Sequence, residues 1–488
     1  MEENTVKETV KRTAWAAERP RVKSMVASFA AAVLLGQTSL AEVTLVDKDD
    51  WKVNMYGFLE NDFIRDSTRS FTDLMGNGPV ALAGTVNGDN GRTQTSVRNS
   101  RLGFSAWAPA ENGWRPRGVL ELDFFGFNPG PSTNPIAVTE TGAPGTVTVN
   151  DTTVPNTEAA YYQNPVPRVR HAYASLESDN WKFLFGHTWS LFGWQPTYVP
   201  TSVSIVPLPG NVFQRTAQIL AINTIKMGES SNLQWGLSLE RPSQRDSQMP
   251  NVAYGIKYSL DSWKAGFANF WQEEKAVPAS IALSGNFKQF QAQGMDLTSQ
   301  SQSKVNSAAY AVDLMLPLIP ASADDTSNAL TLTAEYAAGT GFGDALLGWT
   351  GGFKQLPSGA PTGFNPLGNT NLDAGQGYFD NNGNFSLLQL QTYLVNLQYH
   401  LPKSVGAFIV AGYGVTKSTT IDTTISTTLN AVSGLYSSST NYYVSYWQNI
   451  TKTLRLAVEW DHTKTQYADA ANSSPSNDRV QFSTYIGI

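Results

Sequence analysis

The chain has 488 residues, 34 Lys+Arg against 40 Asp+Glu, a net charge of -6 and no cysteine. Charged residues make up 15% of it and apolar ones 41%; an ordinary soluble domain carries about 25% charged residues, so charge has been given up without a gain in greasiness. These values exclude a disulfide scaffold, thiolate metal sites and cysteine nucleophiles, and the acidic balance argues against a nucleic-acid partner, which would call for a basic surface.

Residues 24–41, SMVASFAAAVLLGQTSLA, are free of charge, and Arg19, Arg21 and Lys23 stand just ahead of them. This is the pattern of a Sec-type secretory signal peptide. Its apolar heart, residues 25–35, spans about 16 Å as a helix, too short for a hydrocarbon core of ~30 Å. Ser39-Leu40-Ala41 gives the small-x-small cleavage pattern, so residues 1–41 are assigned to the signal and the mature chain starts near Glu42. Removing six basic and four acidic residues leaves 28 against 36, a mature charge near -8.

No later stretch offers ~20 consecutive apolar residues. An exported chain of this kind is either soluble or crosses the outer membrane as a closed barrel of strands. Strands that face lipid on one side and a wet lumen on the other alternate apolar and polar over about ten residues. After a short periplasmic lead-in at residues 42–51, residues 52–66 show this alternation: Val53, Met55, Gly57 and Leu59 share one face, and Asn54, Tyr56, Glu60 and Asp62 the other. Residues 94–107 and 114–127 follow as a hairpin, and then some 37 residues rich in Pro, Thr, Asn and Gly read as an external loop. Further strands are expected at 167–178, 181–189, 214–225, 231–240, 251–260, 262–272, 305–316, 328–338, 387–400, 405–417, 440–449, 453–466 and 478–488, sixteen in all. The fold class is therefore all-β, a transmembrane antiparallel barrel over residues 52–488. Sixteen strands leave an aqueous channel where eight fill their interior with side chains. The last segment alternates through Val480, Phe482, Thr484 and Ile486 up to Ile488, as a wall strand does.

NSRLGF (residues 99–104), GVLELDFFG (118–126), RVRHAYASL (168–176), FGHTWSLF (185–192) and GNVFQRTAQI (210–219) stand in this order through the first half of the chain. Taken together they resemble the DcaP-like porins of Gram-negative outer membranes. The resemblance implies a homotrimeric sixteen-stranded channel that admits small anions, dicarboxylates among them, with arginines lining its narrow zone. The chain departs from that pattern in leaving about ten residues between Glu42 and the first strand, without room for a helical coiled coil, and in ending on isoleucine where porins commonly end on phenylalanine.

In porin-like barrels the loop after the fifth strand folds inward. Here that loop is residues 190–213, SLFGWQPTYVPTSVSIVPLPGNVF, which contain no charged residue. Pro196, Pro200, Pro207 and Pro209 stiffen it by fixing φ, and Trp194 and Tyr198 add bulk, so it reads as a rigid uncharged constriction; the alternative is an ordinary loop over the rim. Selectivity then falls to the wall, where rings of Arg or Lys favour anions. Arg168 and Arg170 share one face of their strand, Arg215 follows the stiff loop, and Arg101 and Lys182 are candidates to extend a basic ladder, with Arg98 of opposite parity at the rim. A guanidinium suits the task because its planar fork binds a carboxylate in two parallel hydrogen bonds. The bland reading pairs these arginines with Glu60, Asp62, Glu121 and Asp123 as wall bracing.

Two rival classes are an outer-membrane barrel enzyme and a secreted soluble β-rich binding protein. The four histidines, His171, His187, His400 and His462, match no metal-site spacing, and no cofactor or metal is expected. Asp461 and His462 are adjacent on a strand and so point to opposite faces, which denies them a shared catalytic site. A plug domain, as in energised transporters, has no room ahead of the first strand, and GTGFGDALLG (339–348) reads as loop punctuation. The expected partners are a second and third copy of the chain, membrane lipid and small anionic solutes.

Overall fold

The computed structural model describes residues 42–75, 78–126, 136–138, 149–151, 165–204, 208–244, 247–269, 272–293, 302–346, 349, 375–379, 384–421, 435–468 and 473–487. The signal segment 1–41, Pro207, Ile488 and most of the long loop after residue 126 lie outside the described residues.

Eighteen strands form one antiparallel sheet: β1 (Glu42–Lys48), β2 (Trp51–Asp66), β3 (Arg92–Ser96), β4 (Arg101–Trp107), β5 (Arg115–Gly126), β6 (Val166–Glu177), β7 (Trp181–Trp189), β8 (Arg215–Lys226), β9 (Ser231–Glu240), β10 (Asn251–Asn269), β11 (Gln272–Gln293), β12 (Gln302–Ile319), β13 (Leu330–Thr340), β14 (Gln389–His400), β15 (Ala407–Ser418), β16 (Tyr436–Asn449), β17 (Leu454–Tyr467) and β18 (Ser476–Gly487). β3 and β4 pair with the upper and lower halves of β2, so together they fill one place in the wall. Phe58 to Asp66 of β2 pair in turn with Gly487 to Arg479 of β18, which closes a barrel of sixteen places.

The wall strands bury one stripe and expose the other, whereas β1 is exposed throughout. On β2 and β5, Glu60, Asp62, Glu121 and Asp123 are buried while Leu59, Phe63 and Leu120 are exposed; β9 exposes Trp235, Leu237 and Leu239 and buries Gln234, Ser238 and Glu240. An apolar band continued around a closed sheet is far larger than a water-facing patch on a soluble monomer, and it fits the outer face of a membrane barrel. Exposed aromatics cluster at the end with short turns (Trp51, Tyr258, Trp263, Tyr399, Tyr446) and again toward the long-loop end (Tyr310, Tyr336, Tyr413, Tyr442, Trp460), the two girdles of such a wall.

Cross-strand Tyr–Gly pairs tighten the ladder. Tyr443 lies over Gly412 and Tyr56 over Gly103. A Cβ on Gly412 would sit 2.2 Å from the Tyr443 ring, and one on Gly103 2.3 Å from the Tyr56 ring, so these places accept glycine alone, with the aromatic covering the bare backbone.

Two features correct the strand assignment from sequence. The break expected at residue 261 is an irregularity within β10, so residues 251–260 and 262–269 belong to one strand, and Gln272 opens the next. The count of sixteen is restored by β11, over a span where the sequence pattern predicts a loop. Asp261-Ser262 has turn chemistry, but the chain shifts register across residues 261–263 and continues. Within residues 42–51, expected as a short periplasmic lead-in, residues 42–48 form β1 against Trp51 to Tyr56 of β2. β18 pairs with β2 only from Phe58 upward, so without β1 the lower edge of β2 would present unpaired N–H and C=O groups.

The lumen is not an open bore. Phe71, Met75 and Val80 from the β2–β3 loop, Val199, Val203 and Leu208 from the β7–β8 loop, and Ala268 from the β10–β11 hairpin meet wall residues Phe58, Phe408, Tyr443, Trp447 and Tyr485 in one apolar cluster. Three segments thus fold into the barrel and pack on its inner wall from β15 round to β2.

Candidate functional site

The β7–β8 loop, residues 190–213, crosses the lumen and ties itself to the far wall. It leaves β7 with Ser190 Oγ donating to Glu240 Oε1 at 2.6 Å. It is held against β11 by Gly193 N to Ser284 Oγ at 2.9 Å, Trp194 Nε1 to the Leu283 carbonyl at 3.1 Å and Tyr198 OH to Ser280 Oγ at 2.9 Å. Trp194 adopts a positive φ of 45°, a conformation that costs a bulky residue of order 1–3 kcal/mol; the indole hydrogen bond and the Lys257 ammonium 5.1 Å from its ring hold it there.

At the tip, one carboxylate gathers three donors. Ser202 Oγ, Val203 N and Ser204 N reach the two oxygens of Glu459 at 2.7, 2.8 and 2.7 Å, and Ser204 Oγ donates to Asp461 at 2.6 Å. On the return, Gly210 N donates to Thr416 Oγ1 at 2.8 Å and Val212 N to Glu335 Oε1 at 2.5 Å. Where the loop rejoins β8, Phe213 N donates to the Ala345 carbonyl at 2.8 Å and Gln214 Nε2 to Asp344 at 3.0 Å. Burial raises the Asp344 carboxyl, but the Lys288 ammonium 2.5 Å away outweighs it and holds the group below its ordinary range. A segment without charge thus docks by its hydroxyls and backbone N–H groups onto the carboxylates of β9, β13 and β17. Trp194, Tyr198, Pro200 and Pro209 are buried and Pro196 is half-buried.

The arginines gather on the other side. Arg170 Nε lies 2.7 Å from Glu121 and its Nη1 2.9 Å from Asp123. Arg168 grips Asp123 bidentately at 2.9 and 2.6 Å, and its side chain is 36% exposed where Arg170 is buried. Arg101 stands 4.0 Å from Glu121. Arg215 stacks over Trp189 at 5.3 Å, its Nη1 without a hydrogen-bond partner, close enough to Arg168, Arg170 and Arg101 for their charges to act on one another. Four guanidinium groups thus gather around the two carboxylates of β5, with Glu60 of β2 a third acid near Arg101.

A β-bulge shapes this cluster. Glu121 faces His171 and Leu122 faces Val169, so Arg170 is the extra residue, and both Arg170 and His171 turn inward. His171 Nδ1 meets Thr188 Oγ1 at 2.9 Å; strand parity alone would have sent it outward. Lys182 is not in the cluster: it pairs with Glu177 at 2.7 Å near the short-turn end. Arg98 pairs with Asp73 of the inward-folded β2–β3 loop at 2.9 Å. Of the acids set against the arginines, Glu121 and Asp123 pair with them directly, Glu60 accepts from Asn99 and lies near enough to Arg101 for their charges to act on one another, and Asp62 accepts from Gln481 and Ser483. Asp461 faces the lumen, and His462 faces away, 2.9 Å from Asp478 and stacked on Tyr442. Among the described residues no group of three or more His, Asp or Glu is placed to hold a metal.

No protein-family model matches the chain, and no curated protein sequence does. Solved structures match over nearly its whole length. The outer membrane channel DcaP of Acinetobacter baumannii aligns over 91% of this chain and 99% of its own, at 16% identity and a TM-score of 0.59. An anion-selective porin from Comamonas acidovorans aligns over 90% and 100% at 10% identity and a TM-score of 0.50. Salmonella typhi OmpF, in complex with daunomycin, aligns over 91% and 100% at 11% identity and a TM-score of 0.50. The chain therefore shares the sixteen-stranded barrel fold of the outer-membrane porins.

Proposed function

We propose that this chain is an outer-membrane porin, a water-filled diffusion channel for small hydrophilic solutes that favours anions, dicarboxylates among them, and assembles as a homotrimer. In that setting the short turns are periplasmic and the long loops external, and residues 1–41 are the export signal. The observation that carries the anion preference is the division of charge across the loop. The uncharged segment covers the carboxylates of one wall, and a cluster in which guanidiniums outnumber carboxylates stands on the other, with Arg168 reaching solvent. A passing carboxylate gains from such a field, and the local field, not the net charge, governs passage. The similar fold of a porin described as anion-selective agrees with this reading.

The test is the purified protein in planar bilayers under a salt gradient. A reversal potential of anion-selective sign is expected. A cation-selective sign removes the arginine argument and leaves the channel; absence of current removes the channel. In detergent the unboiled protein is expected to run as an oligomer and to collapse to one chain on boiling.

A further inference from the structure

The β10–β11 hairpin does something a wall hairpin does not. The wall ladder on both of its sides stops early: β9 pairs with β10 as far as Leu260, and β12 pairs with β11 from Ser280. Beyond the pair Leu260–Ala279 the register shifts across residues 261–263. The remaining stretch, Lys264 to Asn269 against Gln272 to Pro278, forms its ladder with itself, with Ala321 N, just past β12, donating to the Lys264 carbonyl at 2.8 Å at its base. A β-bulge bends and twists the strand that carries it, and here the bend turns the ribbon inward across the short-turn mouth.

The ribbon is anchored to strands well round the barrel. Thr331 Oγ1 on β13 donates to the Gly266 carbonyl at 2.7 Å. Gln398 on β14 clamps Ala268 from both sides, its Oε1 accepting from the amide at 3.0 Å and its Nε2 donating to the carbonyl at 2.8 Å. Arg455 on β17 donates to the Asn269 carbonyl. Glu274 accepts from Thr326 Oγ1 at 2.6 Å and meets His400 Nδ1 at 2.5 Å. The ribbon also touches the crossing loop: Thr201 Oγ1 donates to the Ala268 carbonyl at 2.8 Å, and Ala268 packs in the apolar cluster with Val199 and Val203.

We propose that this hairpin is a second size filter at the periplasmic mouth, in series with the loop of residues 190–213, and that Gln398 is its positioning residue. The inference rests on the channel reading and adds to it a specificity-determining element on the opposite side of the lumen from the arginines.

Because Leu260 and Ala279 are direct cross-strand partners, the ribbon can be cut out in register. Replacing residues 261–278 by Asn-Gly closes β10 onto β11 with a two-residue hairpin turn and leaves the wall ladders intact. Compared with the parent, this variant is expected to show a larger single-channel conductance and to admit larger uncharged sugars in liposome swelling, with the sign of the reversal potential unchanged. Gln398→Ala, which keeps the full chain, is expected to raise conductance in the same direction while heat-modifiable mobility on gels stays that of a folded barrel. A parent that conducts while both variants conduct and exclude sugars as it does overturns this inference alone. A parent that passes no current overturns the channel reading and this inference together.

Discussion

Replacing Glu459 by alanine is expected to loosen the tip of the crossing loop, giving a larger and noisier single-channel current and a barrel that collapses at a lower temperature. The carboxylate receives the Ser202 hydroxyl and the amides of Val203 and Ser204, all buried. Truncation strands those donors at about 1–3 kcal/mol for each left unsatisfied. The tip keeps Ser204 Oγ on Asp461, Gln481 on the Val203 carbonyl and Thr201 on the Ala268 carbonyl, and the attachments at Ser284, Ser280, Thr416 and Glu335 lie on the strands the loop passes before and after it, so the tip is loosened while the rest of the loop stays seated. Glu459→Gln keeps one acceptor oxygen and is expected to fall between the parent and Glu459→Ala. Bilayer recordings and gel mobility against temperature read both effects. A parental trace and parental heat resistance from the alanine variant would show that the tip is held by packing instead.

The second large effect is on selectivity, and the structure separates the arginines that can be tested cleanly from the one that cannot. Arg170 is buried between Glu121 and Asp123; removing it leaves those carboxylates short of a partner, a loss on the order of 3–5 kcal/mol for a broken buried pair, so Arg170→Gln is expected chiefly to lower stability. Arg168 is partly open to solvent and Arg215 stacks on an indole, and with Arg170 still on Asp123 their replacement leaves no acid bare. Arg168→Gln combined with Arg215→Gln removes the surplus of guanidinium over carboxylate in the cluster. An unbalanced charge is worth about 1 kcal/mol at 4 Å in a water-like medium, roughly a fivefold change in counter-ion occupancy. The double variant is expected to move the reversal potential toward zero, more at 0.1 M than at 1 M salt because of screening over about 10 Å and 3 Å respectively. An unmoved potential at low salt would remove these two residues from selectivity.

Much of the wall was legible because the membrane imposes a two-residue period, which β9 and β17 follow cleanly. β11 was missed for a physical reason. Residues 274–278, EKAVP, belong to the inward ribbon and carry no outward apolar stripe, which appears only at Ile281 and Leu283. The inward parity of Arg168 and Arg170 could be read from spacing. The inward turn of His171 could not, because it depends on an extra residue in β6. The loop partners Glu335 and Glu459 stand 123 and 255–257 positions away from the residues they hold, and no local pattern marks a strand carboxylate as the seat of a distant loop. The acidic partners of Arg168 and Arg170 were foreseeable, since Glu121 and Asp123 share the inner face of the strand next door.

The closure between β2 and β18 has a kinetic side. Asp66 and Arg479 form a buried pair across that seam although 413 positions separate them, and such distant partners are slow to meet. Until the closing strand has been delivered, the growing sheet has two raw edges, each able to capture a neighbouring chain. β1, folded back on the base of β2, already shields part of one edge at that stage, so the nascent sheet waits for its own last strand with less surface on which to mis-associate.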